Sequence, residues 1–246
     1  MDIHSYNRFI HLFNIIPIVI NLHIDSITKS FNNEPLLSDV FLNCELGEII
    51  GVLGRNGCGK STLLKIIYGV ESSSSRFVRV GDKVIRGVSD TKNLLSFLPQ
   101  NGYLPYGVRI KTLINFFLPK ENRDIICENE FMKPFLDRKI NNLSGGEKRI
   151  VEVLMMVHSP SKFLLLDEPF TGISPIVKEE LNKILLNSKK SKGIIITDHD
   201  YESILNIVDK VVLLKNGNTK HIKNNEELVR YGYLSKERYD LIFSNL

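Results

Sequence analysis

The sequence predicts an α/β fold with a largely parallel core sheet, and three observations predict it. Glu48-Ile49-Ile50-Gly51-Val52-Leu53 reads as a buried strand; the glycine-rich segment Gly54-Arg55-Asn56-Gly57-Cys58-Gly59-Lys60-Ser61-Thr62 follows, and then Leu63, Leu64, Ile66 and Ile67 recur at helical spacing. Phe163-Leu164-Leu165-Leu166 is an uninterrupted apolar run, as expected of a strand covered on both faces, and it ends in Asp167, Glu168 and Pro169. Gly193-Ile194-Ile195-Ile196-Thr197 repeats that pattern and leads to His199, flanked by Asp198 and Asp200. In an open α/β sheet ligands collect at the carboxyl ends of the strands, so the glycine loop, the acids and the histidine are expected on one edge.

The remaining elements are read in chain order. Residues 22–27 and 38–44 alternate as strands, and residues 77–80 with 83–85 read as a hairpin, giving a small antiparallel layer. Residues 72–75 are a short polar loop. From residue 101 to about 157 helical periodicity dominates, with helices expected over 112–118 and 125–136. Asn216-Gly217, between apolar runs at 211–214 and 219–222, marks a tight hairpin. There is no internal repeat.

The glycine loop fits G-x-x-x-x-G-K-[ST], and its strand and helix flanks are the context that this pattern requires. Its glycines let backbone N–H groups wrap a phosphate, the helix N-terminus contributes its positive end, Lys60 reaches the terminal phosphates, and Ser61 is placed to ligate Mg²⁺. The plainer reading, a glycine-rich turn with a solvated lysine, leaves those flanks unexplained. Leu143-Ser144-Gly145-Gly146-Glu147 has a structural reading as a capping box ahead of Ile150, Val153, Leu154 and Val157. The box does not explain Gly145 and Gly146, which cost about 1 kcal/mol each in a helix and suit close approach of an anion. Asp167 faces the Mg²⁺ shell and Glu168 a water in the functional reading; alone, the pair would be an ordinary acidic turn. His199 and Gln100 would each pass for loop residues in isolation.

Together, in this order, these motifs resemble the nucleotide-binding subunit of ATP-binding cassette (ABC) transporters over roughly residues 22–230. The segments 167–172 and 197–199 are most similar to the ATPases of lipopolysaccharide export and branched-chain amino acid uptake. The resemblance implies an ABC-type P-loop NTPase: a mixed, largely parallel core sheet, an antiparallel layer that holds the base, and a helical subdomain at about 101–157 that grips a membrane partner. It implies ATP and Mg²⁺ as ligands and two cassettes, most simply a homodimer, that sandwich two ATP molecules. Gly54 to Thr62 would bind phosphate, Ser144, Gly145 and Gly146 would meet the nucleotide of the opposite subunit, and Phe31 would stack on adenine. Glu168 would be the catalytic base, His199 the γ-phosphate switch, and Lys60 the charge stabiliser. Ser61, Asp167 and Gln100 would form the metal shell. After Gly172 the family presents an apolar residue and an aspartate; here Ile173-Ser174-Pro175 puts an uncharged serine in that place.

Composition agrees with a folded ATPase. The 246-residue chain is 43% hydrophobic and 24% charged, with a net charge of +4 in which basic and acidic residues are interspersed, so no nucleic-acid partner is expected. Cys44, Cys58 and Cys127 lack metal-ligand spacing and fit reduced thiols. The expected location is the cytoplasmic face of a membrane, bound to an integral transporter subunit that powers substrate movement. The competing expectation is a soluble ATPase switch on nucleic acid or ribosomes, but neither an inserted coiled coil nor a second cassette is present. The apolar stretch within residues 1–20 is too short, and too interrupted by Pro17, to span a bilayer. It reads as a surface anchor, a partner-binding tail or a misplaced start, with residues 21–246 as one ATPase domain.

Overall fold

The computed structural model describes residues 20–199 and 201–243. The expectation for residues 1–20 lies, Ile20 apart, outside them. The chain opens with β1 (Asn21–Phe31) and β2 (Glu34–Glu45), then β3 (Ile49–Leu53) and α1 (Lys60–Tyr68). Next come β4 (Ser75–Val80), β5 (Lys83–Val84) and β6 (Leu95–Leu98). Helices α2 (Ile110–Phe117), α3 (Lys120–Glu128) and α4 (Gly145–Val157) follow, then β7 (Phe163–Asp167), α5 (Pro175–Ser188), β8 (Gly193–Thr197) and α6 (Tyr201–Leu205). The chain ends with β9 (Lys210–Lys215), β10 (Asn218–Ile222), α7 (Glu226–Arg230) and α8 (Lys236–Phe243).

Two sheets organise these elements, a four-stranded one in the order β2-β1-β4-β5 and a six-stranded one in the order β10-β9-β3-β8-β7-β6. The first is antiparallel throughout. The second is parallel except at its β9–β10 hairpin, where Asn216 and Gly217 both take positive φ in a two-residue turn. The mixed α/β architecture expected from the sequence is therefore present.

Alternation along the core strands divides the interior. Ile49, Leu164, Leu166, Ile194, Ile196, Val211 and Leu213 pack with Val151, Leu154, Leu181 and Leu185 of α4 and α5. Ile50, Val52, Leu165, Ile195, Val212 and Leu214 pack with α1 and the antiparallel layer through Leu63, Ile67, Leu22, Ile24 and Val78. The core sheet is thus covered on both faces, which is why its strands read as continuous apolar runs. Ile194, Ile195 and Ile196 are all 0% exposed, and each contributes about 1.5–3 kcal/mol by leaving water.

The helical region departs from the sequence expectation. The helix expected over 112–118 begins earlier, at Ile110, and ends at Phe117. No single helix fills 125–136: α3 starts at Lys120 and stops at Glu128, and a short 3-10 turn covers Lys133–Phe135. Asn129 ends the helix by accepting the Phe131 N–H on its side chain at 2.9 Å, and Pro134 could not continue an α-helix there. Apolar spacing overlooked both breakers.

Candidate functional site

The glycine loop joins the end of β3 to α1, whose first residue is Lys60. Gly59 precedes the helix at φ +105°, a conformation that favours glycine, and no side chain caps the helix N-terminus. The N–H groups of the first turn therefore face the loop with the positive end of the helix behind them. Lys60 is buried and its Nζ donates to Gly54 O at 2.9 Å, so the ammonium lies across the loop. Gly54 admits no side chain, since a Cβ there would lie 2.5 Å from Cys58 Sγ and 2.8 Å from Leu214 O. Asn56 and Gly57 are exposed and Thr62 is half-buried. Arg55 is exposed and points away from the loop interior, its Nη2 donating to Gly232 O at 3.2 Å. Burial raises the Cys58 thiol pKa above its ordinary value, with Lys60 pulling the other way.

Strands β7 and β8 bring the acids to the same edge. Asp167 pairs with Thr197 in the parallel register and lies on the sheet face that packs against α1. Its Oδ1 accepts from Ser61 Oγ at 2.9 Å and from Thr197 Oγ1 at 2.8 Å. Burial pushes the Asp167 carboxyl above its ordinary value, against the lowering pull of those two hydroxyls. Glu168, one residue on, leaves the strand at φ +47° and turns its carboxylate elsewhere. Glu168 Oε2 accepts from Gln100 Nε2 at 2.7 Å and from Thr171 Oγ1 at 3.3 Å, and lies 3.6 Å from His199 Nδ1. Thr171 Oγ1 is also 3.5 Å from His199 Nδ1. Sequence reasoning placed Gln100 on the metal shell; its amide donor is directed at Glu168.

Ser61 and Asp167 offer one hydroxyl and one carboxylate oxygen, hard donors suited to Mg²⁺, which completes its octahedron with water and phosphate oxygens. A cation there also suits a buried carboxylate that Lys60 does not pair. The residues present fit the ion.

Ser144 forms the expected capping box: its hydroxyl accepts from Glu147 N at 3.2 Å, and Glu147 Oε2 accepts from Ser144 N at 2.7 Å. Gly145 faces open space, leaving its backbone approachable, whereas a Cβ on Gly146 would meet Val177 Cγ2 at 3.2 Å. Gly146 thus has a reason within the chain, the close packing of α4 on α5, that the sequence did not disclose. Phe31 is 48% exposed, with Lys29 Nζ 4.6 Å from the ring centroid. Ser174 precedes α5 with no side-chain cap bond, and Pro175 occupies the first turn.

Three contributors were missed in the sequence. Thr197 and Thr171 carry the hydroxyls just described. Arg149 on α4 is buried and donates to the carbonyls of Pro99, Gln100 and Glu168. The available signal was an Arg149/Glu152 pair at i,i+3 within an otherwise apolar helix face.

Comparison with known proteins adds to this geometry. A family model described as "ABC transporter" matches residues 37–171. The spermidine/putrescine import ATP-binding protein PotA of Mesoplasma florum is 29% identical over 218 residues, 84% of this chain and 62% of the relative. The chain therefore spans about three fifths of that relative's length. The lipopolysaccharide export system ATP-binding protein LptB of Haemophilus influenzae is 27% identical over 244 residues, 87% of this chain and 96% of the relative. The lipopolysaccharide-export likeness read from the motifs thus has a counterpart among the relatives. Among solved structures, the ATP-binding subunit of an ABC transporter superposes with TM-score 0.76 at 20% identity, covering 91% of this chain and 98% of the other. A nucleotide-free ATP-binding cassette gives 0.73 at 22% identity, covering 88% and 96%.

Proposed function

This chain belongs to the ABC transporter family, and from that premise we propose that it is the ATP-binding and ATP-hydrolysing subunit of a transporter whose membrane-spanning part is a separate protein. The observation that carries the reading is the convergence on one sheet edge of Lys60, the Ser61–Asp167 pair at 2.9 Å and the Glu168–Gln100 pair at 2.7 Å. A phosphate loop alone binds nucleotide; a carboxylate held by an amide and a hydroxyl beside that loop can hydrolyse it.

The roles follow from position. Backbone N–H groups of residues 54–62 and the Lys60 ammonium hold the β- and γ-phosphates and stabilise the charge that grows on the transferred group. Glu168 accepts the proton of the attacking water, and Gln100 with Thr171 fixes the carboxylate for that task. His199, whose Nδ1 lies 3.6 Å from Glu168 Oε2, would contact the γ-phosphate. Ser61 and Asp167 would hold Mg²⁺, with Gln100 beside them as a further ligand. When bound, Mg²⁺ neutralises charge on the phosphate oxygens. Phe31 presents a ring face to adenine, while Ser144, Gly145 and Gly146 serve the nucleotide of a second, identical cassette.

Residues 21–246 form one cassette in this reading, with residues 101–157 as the part that meets the membrane protein. Among the described residues no helix is long and apolar enough to cross a membrane, which suits a subunit seated on the cytoplasmic face of its partner. PotA is named for spermidine/putrescine import and LptB for lipopolysaccharide export, so family membership fixes neither cargo nor direction.

The test is steady-state ATP turnover by the full chain and its Glu168→Gln variant. The expected outcome is retained ATP binding with turnover reduced on the order of a hundredfold or more. Wild-type turnover in the variant would remove Glu168 from its role.

A further inference from the structure

Arg149 stands outside every motif that the sequence marks, yet its guanidinium touches the main chain of both residues that pair across the hydrolytic centre. Nη2 donates to Gln100 O at 2.8 Å and to Glu168 O at 3.3 Å, and Nη1 donates to Pro99 O at 3.2 Å and to Glu152 Oε2 at 3.3 Å. The terminal N–H groups of the fork are thereby directed to three separate segments. Arg149 is 6% exposed and Glu152 2% exposed, so this ion pair is built into the interior. The Glu152 carboxylate is itself fixed, accepting from Tyr103 N at 3.2 Å and lying 3.7 Å from Lys148 Nζ. Gly102 belongs to the same cluster: its φ is +76°, and a Cβ there would fall 2.2 Å from Glu152 Oε1.

We propose, resting on the hydrolase reading above, that Arg149 is a positioning residue that sets the backbone of Gln100 and Glu168 so that their side chains meet at the reacting water. Three features carry this. The Gln100 and Glu168 side chains join at 2.7 Å, and each residue's carbonyl is separately anchored to the one guanidinium. Glu168 holds a non-glycine positive φ of +47°, a backbone strain that persists only where neighbours fix it. A single residue reaching segments 49 or 50 and 19 positions away exceeds what helix α4 needs for its own packing. Because α4 also begins at Gly145, the same contact ties the segment that serves a second cassette to the hydrolytic centre of its own chain.

A planar fork can serve three carbonyls at once; an ammonium cannot reproduce that geometry. Arg149→Lys therefore keeps the buried charge beside Glu152 but loses the simultaneous anchoring. The experiment measures kcat, KM, fluorescent ATP-analogue affinity and thermal midpoint for the full-length wild type, Arg149→Lys, Arg149→Met and Gly102→Ala. The expected result is kcat lowered on the order of a hundredfold, the loss that a misplacement of about 1 Å produces, with analogue affinity within about threefold of wild type. A merely structural role would instead lower the folded fraction and leave kcat per folded molecule intact. If Arg149→Met fails to fold, Arg149→Lys and Gly102→Ala carry the same comparison. Normal kcat in folded Arg149→Lys and Gly102→Ala overturns the positioning role alone; absence of turnover in the wild type overturns the hydrolase reading instead.

Discussion

Glu168 and Asp167 are adjacent in sequence and opposite in circumstance. Asp167 ends a buried strand, shares its Oδ1 between two hydroxyls and is held above its ordinary pKa by burial, while Glu168 turns out at positive φ into a partly open site. Two carboxylates in different surroundings can take different tasks, one to hold a cation and one to move a proton. Cys58 offers a test at the same scale. Because burial raises its thiol pKa, little thiolate is present at neutral pH, and alkylation of the native protein by iodoacetamide is expected to be slow at pH 7. The rate should climb as pH is raised beyond the ordinary thiol range, and ATP should suppress it by closing the loop. Mass-spectrometric labelling checks this, and fast, ATP-insensitive modification at pH 7 would contradict it. Cys44, fully buried, should label only on unfolding.

At the scale of elements, helix α4 carries two devices at its start. The capping box satisfies donors of the first turn, and Arg138 clamps the box from outside through Glu147 at 2.8 Å. Ser144→Ala is expected to cost about 1 kcal/mol of stability in urea unfolding, the usual loss of a serine cap. The Arg138 hydrogen bond, with the Ser144 N–H, holds the Glu147 carboxyl down at about 2 against an ordinary value of 4.5. A lowered folded-state pKa stabilises fully above the ordinary value and is lost as pH falls through the folded value. Stability should therefore decline between about pH 4.5 and pH 2 through this group. Glu147→Gln should flatten that part of the urea-midpoint profile, and an unchanged acid slope would deny the clamp its role. The helical region also shows where periodicity misleads: Asn129 and Pro134 break a stretch whose apolar spacing reads as one helix, because side-chain capping and a missing N–H act locally and outweigh pattern.

For the whole molecule, the parallel sheet acts as a bench. Its strand ends carry the phosphate loop, the acids and the histidine, and its two covered faces keep those ends in fixed relation. Under the proposed function a second copy completes the nucleotide site, so the Glu168→Gln variant with ATP and Mg²⁺ should elute as a dimer. Removing Mg²⁺ with EDTA should return it to a monomer. Size-exclusion chromatography with light scattering checks both, and a monomer in all conditions would oppose the shared-site reading.

By itself the sequence determined what is local. It set the strand before the phosphate loop and the helix after it, the apolar strand before the acids, the capping box at Ser144 and the hairpin at Asn216-Gly217, because backbone preference and hydrophobic period act over a few residues. Only the tertiary structure decided which distant groups meet. Thr197 reaches Asp167 because β7 and β8 pair in parallel register, and a side chain at Gly146 would crowd Val177 because α5 packs closely there. Arg149 finds the carbonyls of residues 99, 100 and 168 because β6 and β7 pair in parallel, which brings their following residues together, and α4 packs against β6. Such contacts depend on where whole elements pack, and a residue's neighbours along the chain carry no record of that.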